Sequence, residues 1–258
     1  MKHTYTLPSG GTPYAPYLLE MVQGNHTLIA GTVGAGKSVL ENSIIYAMLS
    51  ARYPGQTASG RGAQFVLLDP KKVELRMYKN LPHTLAYADN IPDILNVLHM
   101  VRGMIDDRFK RMQRRGERQS SECPVYVFID ELVDIVTNAK HGKEIVNLLS
   151  DIASISRAAN CFIIALTQSP SRVIIPARFK LLFNCRCALR CNNAIESRQI
   201  IEDDSAVSLP LHGRGIVEQN LSRYQIDIPF YSDEEIKHNI RHWTKQNNPL
   251  GRLLAKMA

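Results

Sequence analysis

Short runs of consecutive apolar residues recur along this chain, separated by stretches with a helical period. His26–Ala30, Gln64–Leu68, Val125–Ile129 and Cys161–Leu166 are such runs, and each predicts a strand. Between them, Lys37–Leu49 carries Leu40, Ile44, Ala47 and Met48 at helical spacing. Ile91–Arg115 carries Ile94, Leu95, Leu98, Val101, Ile105 and Phe109 on one side, which predicts a long amphipathic helix. Further on, the pattern predicts a helix over Lys143–Ala158, a strand over Leu181–Leu189 and a short helix near Ile195–Ile201. Gly215–Gln219 and Ser222–Ile228 read as a terminal strand pair. Ser232 then caps a last helix, Asp233–Lys245, with acids in its first turn. Strands that are apolar throughout, rather than alternating, are buried on both faces. The expected fold is therefore α/β, a mostly parallel central sheet with helices on both faces. Residues 1–26 are turn-rich and read as a lead-in with one short helix around Tyr17–Val22. Residues 27–258 read as one domain without internal repeats.

Composition narrows this only slightly. With 258 residues, 45% of them hydrophobic and 21% charged, the chain is neither disordered, collagen-like nor a disulfide miniprotein. No run of 18 apolar residues exists, and Met1–Thr6 lacks the apolar core of a signal peptide. A cytoplasmic protein without direct membrane insertion is expected. Lys plus Arg outnumber Asp plus Glu by 31 to 24, and the resulting net charge of +7 favours polyanionic partners such as nucleic acid. The five cysteines are expected to be free thiols. Cys185, Cys187 and Cys191 have a C-x-C-x₃-C spacing that invites a zinc reading. Cys185 and Cys187 would share one face of a strand, however, and no fourth ligand is near, so packing as small hydrophobes is expected.

The chemistry begins at Gly31-Thr32-Val33-Gly34-Ala35-Gly36-Lys37-Ser38, which matches the phosphate-binding pattern G-x-x-x-x-G-K-[ST]. It lies between an apolar strand and a helix, as the mechanism requires. Glycines let successive backbone N–H groups curl around phosphate oxygens, and the helix N-terminus adds positive partial charge. Residues 31–39, ending at Val39, are thus the expected ATP-binding segment. Lys37 would reach the β- and γ-phosphates and the Ser38 hydroxyl would hold Mg²⁺. Val125–Ile129 runs into Asp130-Glu131. Asp130 at the strand tip is placed to hold the metal through water, and Glu131 to polarise an attacking water. The strand Cys161–Leu166 ends at Thr167-Gln168. Ligands bind at the carboxyl ends of parallel strands, so Gln168 either senses the γ-phosphate or simply forms a strand-end turn.

Taken in order, these segments resemble the motor domain of the FtsK/SpoIIIE DNA translocases. The resemblance is carried by Leu28–Thr32 with the loop behind it, Phe65–Leu75 (with Asp69-Pro70-Lys71-Lys72), and the triplet Arg108-Phe109-Lys110. It continues through Ile129–Leu132, Ser156-Arg157-Ala158-Ala159, Ala165–Ser171, Glu196–Ile201 and Gly213–Gly215, roughly residues 20 to 245. The resemblance implies a RecA-like P-loop fold, a hexameric ring, and ATP-driven movement of double-stranded DNA through its pore. It assigns the hydrolytic roles to Asp130 and Glu131 and the sensor role to Gln168. Arg157 matches an arginine that reaches the neighbouring subunit's γ-phosphate, although a charge at a helix C-terminus would satisfy the same position. The family's membrane helices, linker and winged-helix module are not expected to fit in these 258 residues. A minimal motor of a plasmid, phage or integrative element is expected. The alternatives are a conjugative coupling ATPase handling single-stranded DNA or a relaxase beside a membrane channel, and a nucleotide-gated assembly factor of a secretion or packaging complex.

Two basic groups remain. Arg102, Arg108, Lys110, Arg111, Arg114, Arg115 and Arg118 either contact phosphates or form a solvated helix face with pairs such as Asp106–Lys110 and Asp107–Arg111. Lys140, Lys143, Arg172 and Arg178 follow the catalytic strands and could grip a DNA backbone.

Overall fold

In a computed structural model, residues 15–50, 62–168 and 180–245 are described, and eight strands form one sheet. The strands are β1 (Thr27–Ala30), β2 (Gln64–Leu68), β3 (Thr84–Ala88), β4 (Val125–Ile129), β5 (Cys161–Thr167), β6 (Cys185–Ala188), β7 (Arg214–Gln219) and β8 (Ser222–Asp227). Their order is β3-β2-β4-β5-β1-β6-β7-β8. The first six are parallel, and β7 and β8 add an antiparallel edge hairpin. Described helices are α1 (Ala15–Val22), α2 (Lys37–Ser50), α3 (Ile91–Arg115), α4 (Leu132–Val136), α5 (Gly142–Ile155), α6 (Ala194–Ile201) and α7 (Asp233–Lys245). This is the doubly covered, mostly parallel sheet the apolar runs predict.

Alternate residues of each central strand serve two separate cores. Tyr126 and Phe128 of β4, with Phe162, Ile164 and Leu166 of β5, pack beneath α1, α2 and α7. Val125, Val127 and Ile129, with Cys161, Ile163 and Ala165, pack beneath α3, α4 and α5. Each fully buried side chain of this size contributes about 1.5–3 kcal/mol, which is why these strands tolerate no polar face. Leu18, Leu19, Met21 and Val22 of α1 are buried in the first core. Cys185 and Cys187 are buried there too, and Cys191 in a third, smaller cluster beneath α6. Burial raises all three thiols, to about 12 for Cys185 and about 11 for Cys191. No metal cluster forms among the described residues.

α3 runs over the residues its pattern predicts, because both ends are fixed. The Asn90 side chain accepts from Asp93 N–H, Pro92 starts the helix, and Gly116 ends it in the left-handed conformation. The α7 cap also forms, with Ser232 Oγ accepting from Glu235 N–H. Two elements and one strand start differ most from the sequence reading. β3 is an extra edge strand, and α4 is an extra five-residue helix. The strand expected from Leu181 starts only at Cys185, because Leu181 is 83% exposed in a turn outside the sheet. Among the described residues no helix is long and apolar enough to cross a membrane.

Candidate nucleotide site

The topology puts the expected ligand crevice at the carboxyl edge of the sheet. After β1 the chain rises into α2, on the face of the first core, whereas after β4 it leaves into α4 on the opposite face. Chain directions diverge there, which is where open α/β sheets bind ligands.

The loop after β1 lies in that crevice. Gly34 and Gly36 have φ values of 77° and 96°, and a Cβ at either would meet nothing within 4 Å. The turn is thus open where a side chain would otherwise stand, which suits a cradle for phosphate oxygens. Thr32 N–H donates to Arg190 O and Ala35 N–H to Thr32 O, which fixes the loop against β6 and against itself. Val33 is exposed and Ala35 buried. Lys37 opens α2, and its Nζ donates to Gly31 O and Thr32 O, both at 2.8 Å. Burial pulls the Lys37 ammonium below its ordinary range, while the Glu131 carboxylate works in the opposite direction. Ser38 follows on the same first turn, which contains no acid.

Asp130 and Glu131 lie at the tip of β4, both nearly fully buried. Asp130 Oδ2 is buried without a hydrogen-bond partner. Burial, reinforced by Asp69, raises the Asp130 carboxyl from 3.8 to about 6. An orphaned hard oxygen close enough to Lys37 and Glu41 to act on the charge of both is a donor whose chemistry fits Mg²⁺. Glu131 is held on both oxygens. Gln168 N–H donates to Oε1 at 3.2 Å, and Lys71 Nζ pairs with Oε2 at 3.1 Å. Burial depresses the Lys71 ammonium, but the hydrogen bond and charge of Glu131 outweigh this and raise it overall.

The structure therefore gathers Lys37, Asp130, Glu131 and Gln168 at one edge. It also adds groups to which the sequence reading gave no role. Asp69 ends β2 and accepts from Val73 N–H and Leu75 N–H, and Lys71 follows two residues later. Their signal was available, since an acid at the tip of an apolar strand marks β2 just as it marks β4. Glu41, one turn into α2, is fully buried, with neither carboxyl oxygen hydrogen-bonded. Burial, then Asp130, pushes its carboxyl well above the ordinary range.

Arg157 is not brought to this edge. It sits exposed on the turn between α5 and β5, at the amino end of the strand whose carboxyl end leads to Gln168. Seven strand residues separate the two ends, roughly 23 Å at ~3.3 Å per residue. No arginine rotamer closes that gap within one chain.

The basic stretch of α3 also departs from its expected pairing. Asp106 pairs with Arg102 rather than Lys110, and Arg102 also reaches Asp151. Asp107 pairs with Lys110, while Arg111 reaches out of the helix to Glu122. Arg108 is not on the solvated face at all, being 3% exposed. Lys140 and Lys143 are exposed at the junction of α4 and α5, downstream of Glu131. Arg172 and Arg178 lie outside the described residues.

The family model described as "FtsK/SpoIIIE family" matches residues 3–123. Relatives named DNA translocase FtsK match over 91% of this chain, at 27% identity in Pseudomonas syringae pv. tomato and 28% in Caulobacter vibrioides. The chain is FtsK/SpoIIIE-like. It spans 33% of the length of each of these two relatives. Two solved structures share the fold of this chain. The conjugation coupling protein TcpA of pCW3, in monomer form with ATPγS, superposes with a TM-score of 0.72 at 20% identity, covering 86% of this chain and 66% of that one. The cytoplasmic domain of the type VII secretion ATPase EccC of Thermomonospora curvata gives 0.70 at 17%, covering 86% and 28%.

Proposed function

We propose that this chain is a cytoplasmic ATP-hydrolysing DNA translocase subunit whose ATP sites form between copies of itself. The observation that carries the reading is the split of β5. Lys37, Asp130, Glu131 and Gln168 meet at one edge of the sheet, while Arg157 waits at the other. A copy docked edge to edge would supply the missing cation, and a closed ring, a hexamer on the family resemblance, repeats that contact at every interface.

The Gly31–Val39 segment cradles the phosphates. Lys37 exchanges its two loop carbonyls for phosphate oxygens, which costs it little because the ammonium stays fully hydrogen-bonded. Ser38 and Asp130 would hold Mg²⁺, which when bound would offset the negative charge of the phosphates. Glu131, steadied by Lys71 and by the Gln168 amide, orients the attacking water, and Gln168 registers the γ-phosphate. The neighbour's Arg157 stabilises the transferring phosphoryl group. The net charge of +7 suits a polyanionic cargo. Lys140, Lys143, Arg172 and Arg178 are the residues proposed to grip its backbone, without sequence readout. Double-stranded DNA of a mobile element is the proposed cargo.

Steady-state ATP hydrolysis tests this with no DNA, linear duplex and single-stranded DNA, using Lys37→Ala as the blank. Stimulation by duplex supports the reading. Preference for single strands would replace it with a coupling ATPase serving a relaxase or channel. Nucleotide binding with no turnover under any condition would leave an assembly factor and end the motor reading.

A further inference from the structure

We infer that Arg108 of α3 is the positioning residue for Arg157, setting the turn that presents Arg157 to a second copy of this chain. The inference rests on the trans role proposed for Arg157.

Arg108 falls on the apolar side of α3, between Ile105 and Met112, and all three are buried. A guanidinium is a poor core filler, because its five N–H donors must all be met. Here Nη1 is turned on the α5–β5 turn and Nη2 on the segment beside it, while the buried Nε has no hydrogen-bond partner. Nη1 donates to Ala159 O at 2.8 Å and to Asn160 O at 3.1 Å, and Nη2 donates to Cys123 O at 2.8 Å. Nε lies 3.7 Å from Glu122 Oε2. Arg108 thus ties the α5–β5 turn to the segment entering β4.

The rest of that turn is equally determined. Ser156 O accepts from Cys161 N–H, Arg157 O from Asn160 N–H, and Ala158 O from Ser120 N–H at 2.8 Å. Asn160 adopts φ 55° and donates from Nδ2 to Glu122 O at 2.7 Å. Every carbonyl from Ser156 to Asn160 is engaged. In contrast, no ion pair to Arg157 forms among the described residues. A turn needing only to connect a helix to a strand has no use for a buried arginine. A turn that must hold one exposed cation at a fixed height and angle does, since small misplacement of a catalytic partner is costly.

The test uses the full chain with duplex DNA. Arg108→Lys keeps the charge and stem but cannot span three carbonyls as a fork. Thermal melting and fluorescent-nucleotide binding check that it folds and binds ATP. Turnover is expected to fall about a hundredfold, with nucleotide affinity unchanged. The discriminating readout is complementation. Mixed with Glu131→Gln, which lacks the water-orienting group but has an intact Arg157 turn, Arg108→Lys regains turnover. Mixed with Arg157→Ala, it does not. A general folding defect would not choose between those partners. If Arg108→Lys fails to fold, Asn160→Gly keeps the backbone conformation, removes the Glu122 brace, and is expected to show the same partner preference with a smaller loss.

A folded Arg108→Lys, or Asn160→Gly in its place, with wild-type turnover overturns the inference, as does rescue by Arg157→Ala. The control mixture of Arg157→Ala with Glu131→Gln isolates the underlying reading. If that mixture is as inactive as its parts, the trans role of Arg157 is wrong and the role of Arg108 falls with it.

Discussion

At its carboxyl end β5 enters a region of buried polar groups without protein partners, Asp130 Oδ2 and both Glu41 oxygens among them. At its amino end the backbone is saturated instead, each carbonyl from Ser156 to Asn160 having a donor, although Arg108 Nε beside it has no hydrogen-bond partner. The same strand joins an underdetermined edge to an overdetermined one. An orphaned buried polar atom has a cost, so it persists where something that comes and goes completes it. A saturated turn is what a fixed presentation requires. Substitutions at the first edge should alter chemistry and spare or raise stability, and those at the second should do the reverse to stability.

The largest expected effect is at Glu131. Glu131→Gln should lower turnover by about 10²–10⁴-fold while the melting temperature holds, measured by coupled ATPase assay and calorimetry. The sharpest contrast at the other edge is Arg108→Met, which takes a donor from the carbonyls of Cys123, Ala159 and Asn160. Asn160 O keeps the Val125 N–H, so two carbonyls are left unmet and the loss in denaturant unfolding should be about 2 kcal/mol, at ~1 kcal/mol or more for each. Equal stability of Arg108→Met and wild type would erase the contrast.

Glu41→Leu should raise stability by about 1–3 kcal/mol, because it removes an unpartnered buried carboxyl. The sign of the accompanying pH effect follows from its raised folded pKa. Below the ordinary carboxyl pKa both states are protonated and no penalty exists. As pH rises above it, only the unfolded state ionises freely, so the native state loses stability up to its own pKa. Wild type should therefore weaken from about pH 4.5 upward at this site, and Glu41→Leu should remove that slope in unfolding curves. The smallest effect concerns Asp130, raised to about 6. Below that pH a proton competes with metal, and apparent Mg²⁺ affinity should fall about tenfold per pH unit. Titration calorimetry with nucleotide at pH 5, 6 and 7 reads this directly.

Much of this comparison was legible in one dimension, and its limits are physical. β1, β2, β4 and β5 declare themselves because strands buried on both faces need uninterrupted apolar runs. β3 was missed because Thr84–Leu85–Ala86–Tyr87 is only half-buried at the sheet edge, and α4 because five residues are too few to display a helical period. Lys37, Asp130, Glu131 and Gln168 sit next to the strand ends that place them. Lys71 acquires meaning only from Glu131, 60 residues away, and Arg108 only from Ala159, 51 residues away. Local charge groups Arg108 with its basic neighbours, although its spacing from Ile105 and Met112 already turns it toward the apolar side, where packing buries it.

The two cores that share β4 and β5 also bear on how such a chain can diverge. Tyr126 and Phe128 answer to one layer, Val125, Val127 and Ile129 to the other, so no position of β4 is silent. Genetic drift is blocked on both sides of these strands at once. Variation must collect at the margins instead, in half-buried β3 and in β8, whose residues are mostly exposed. Lineages of this fold would then keep a nearly fixed central ribbon while their flanks are rewritten for new neighbours.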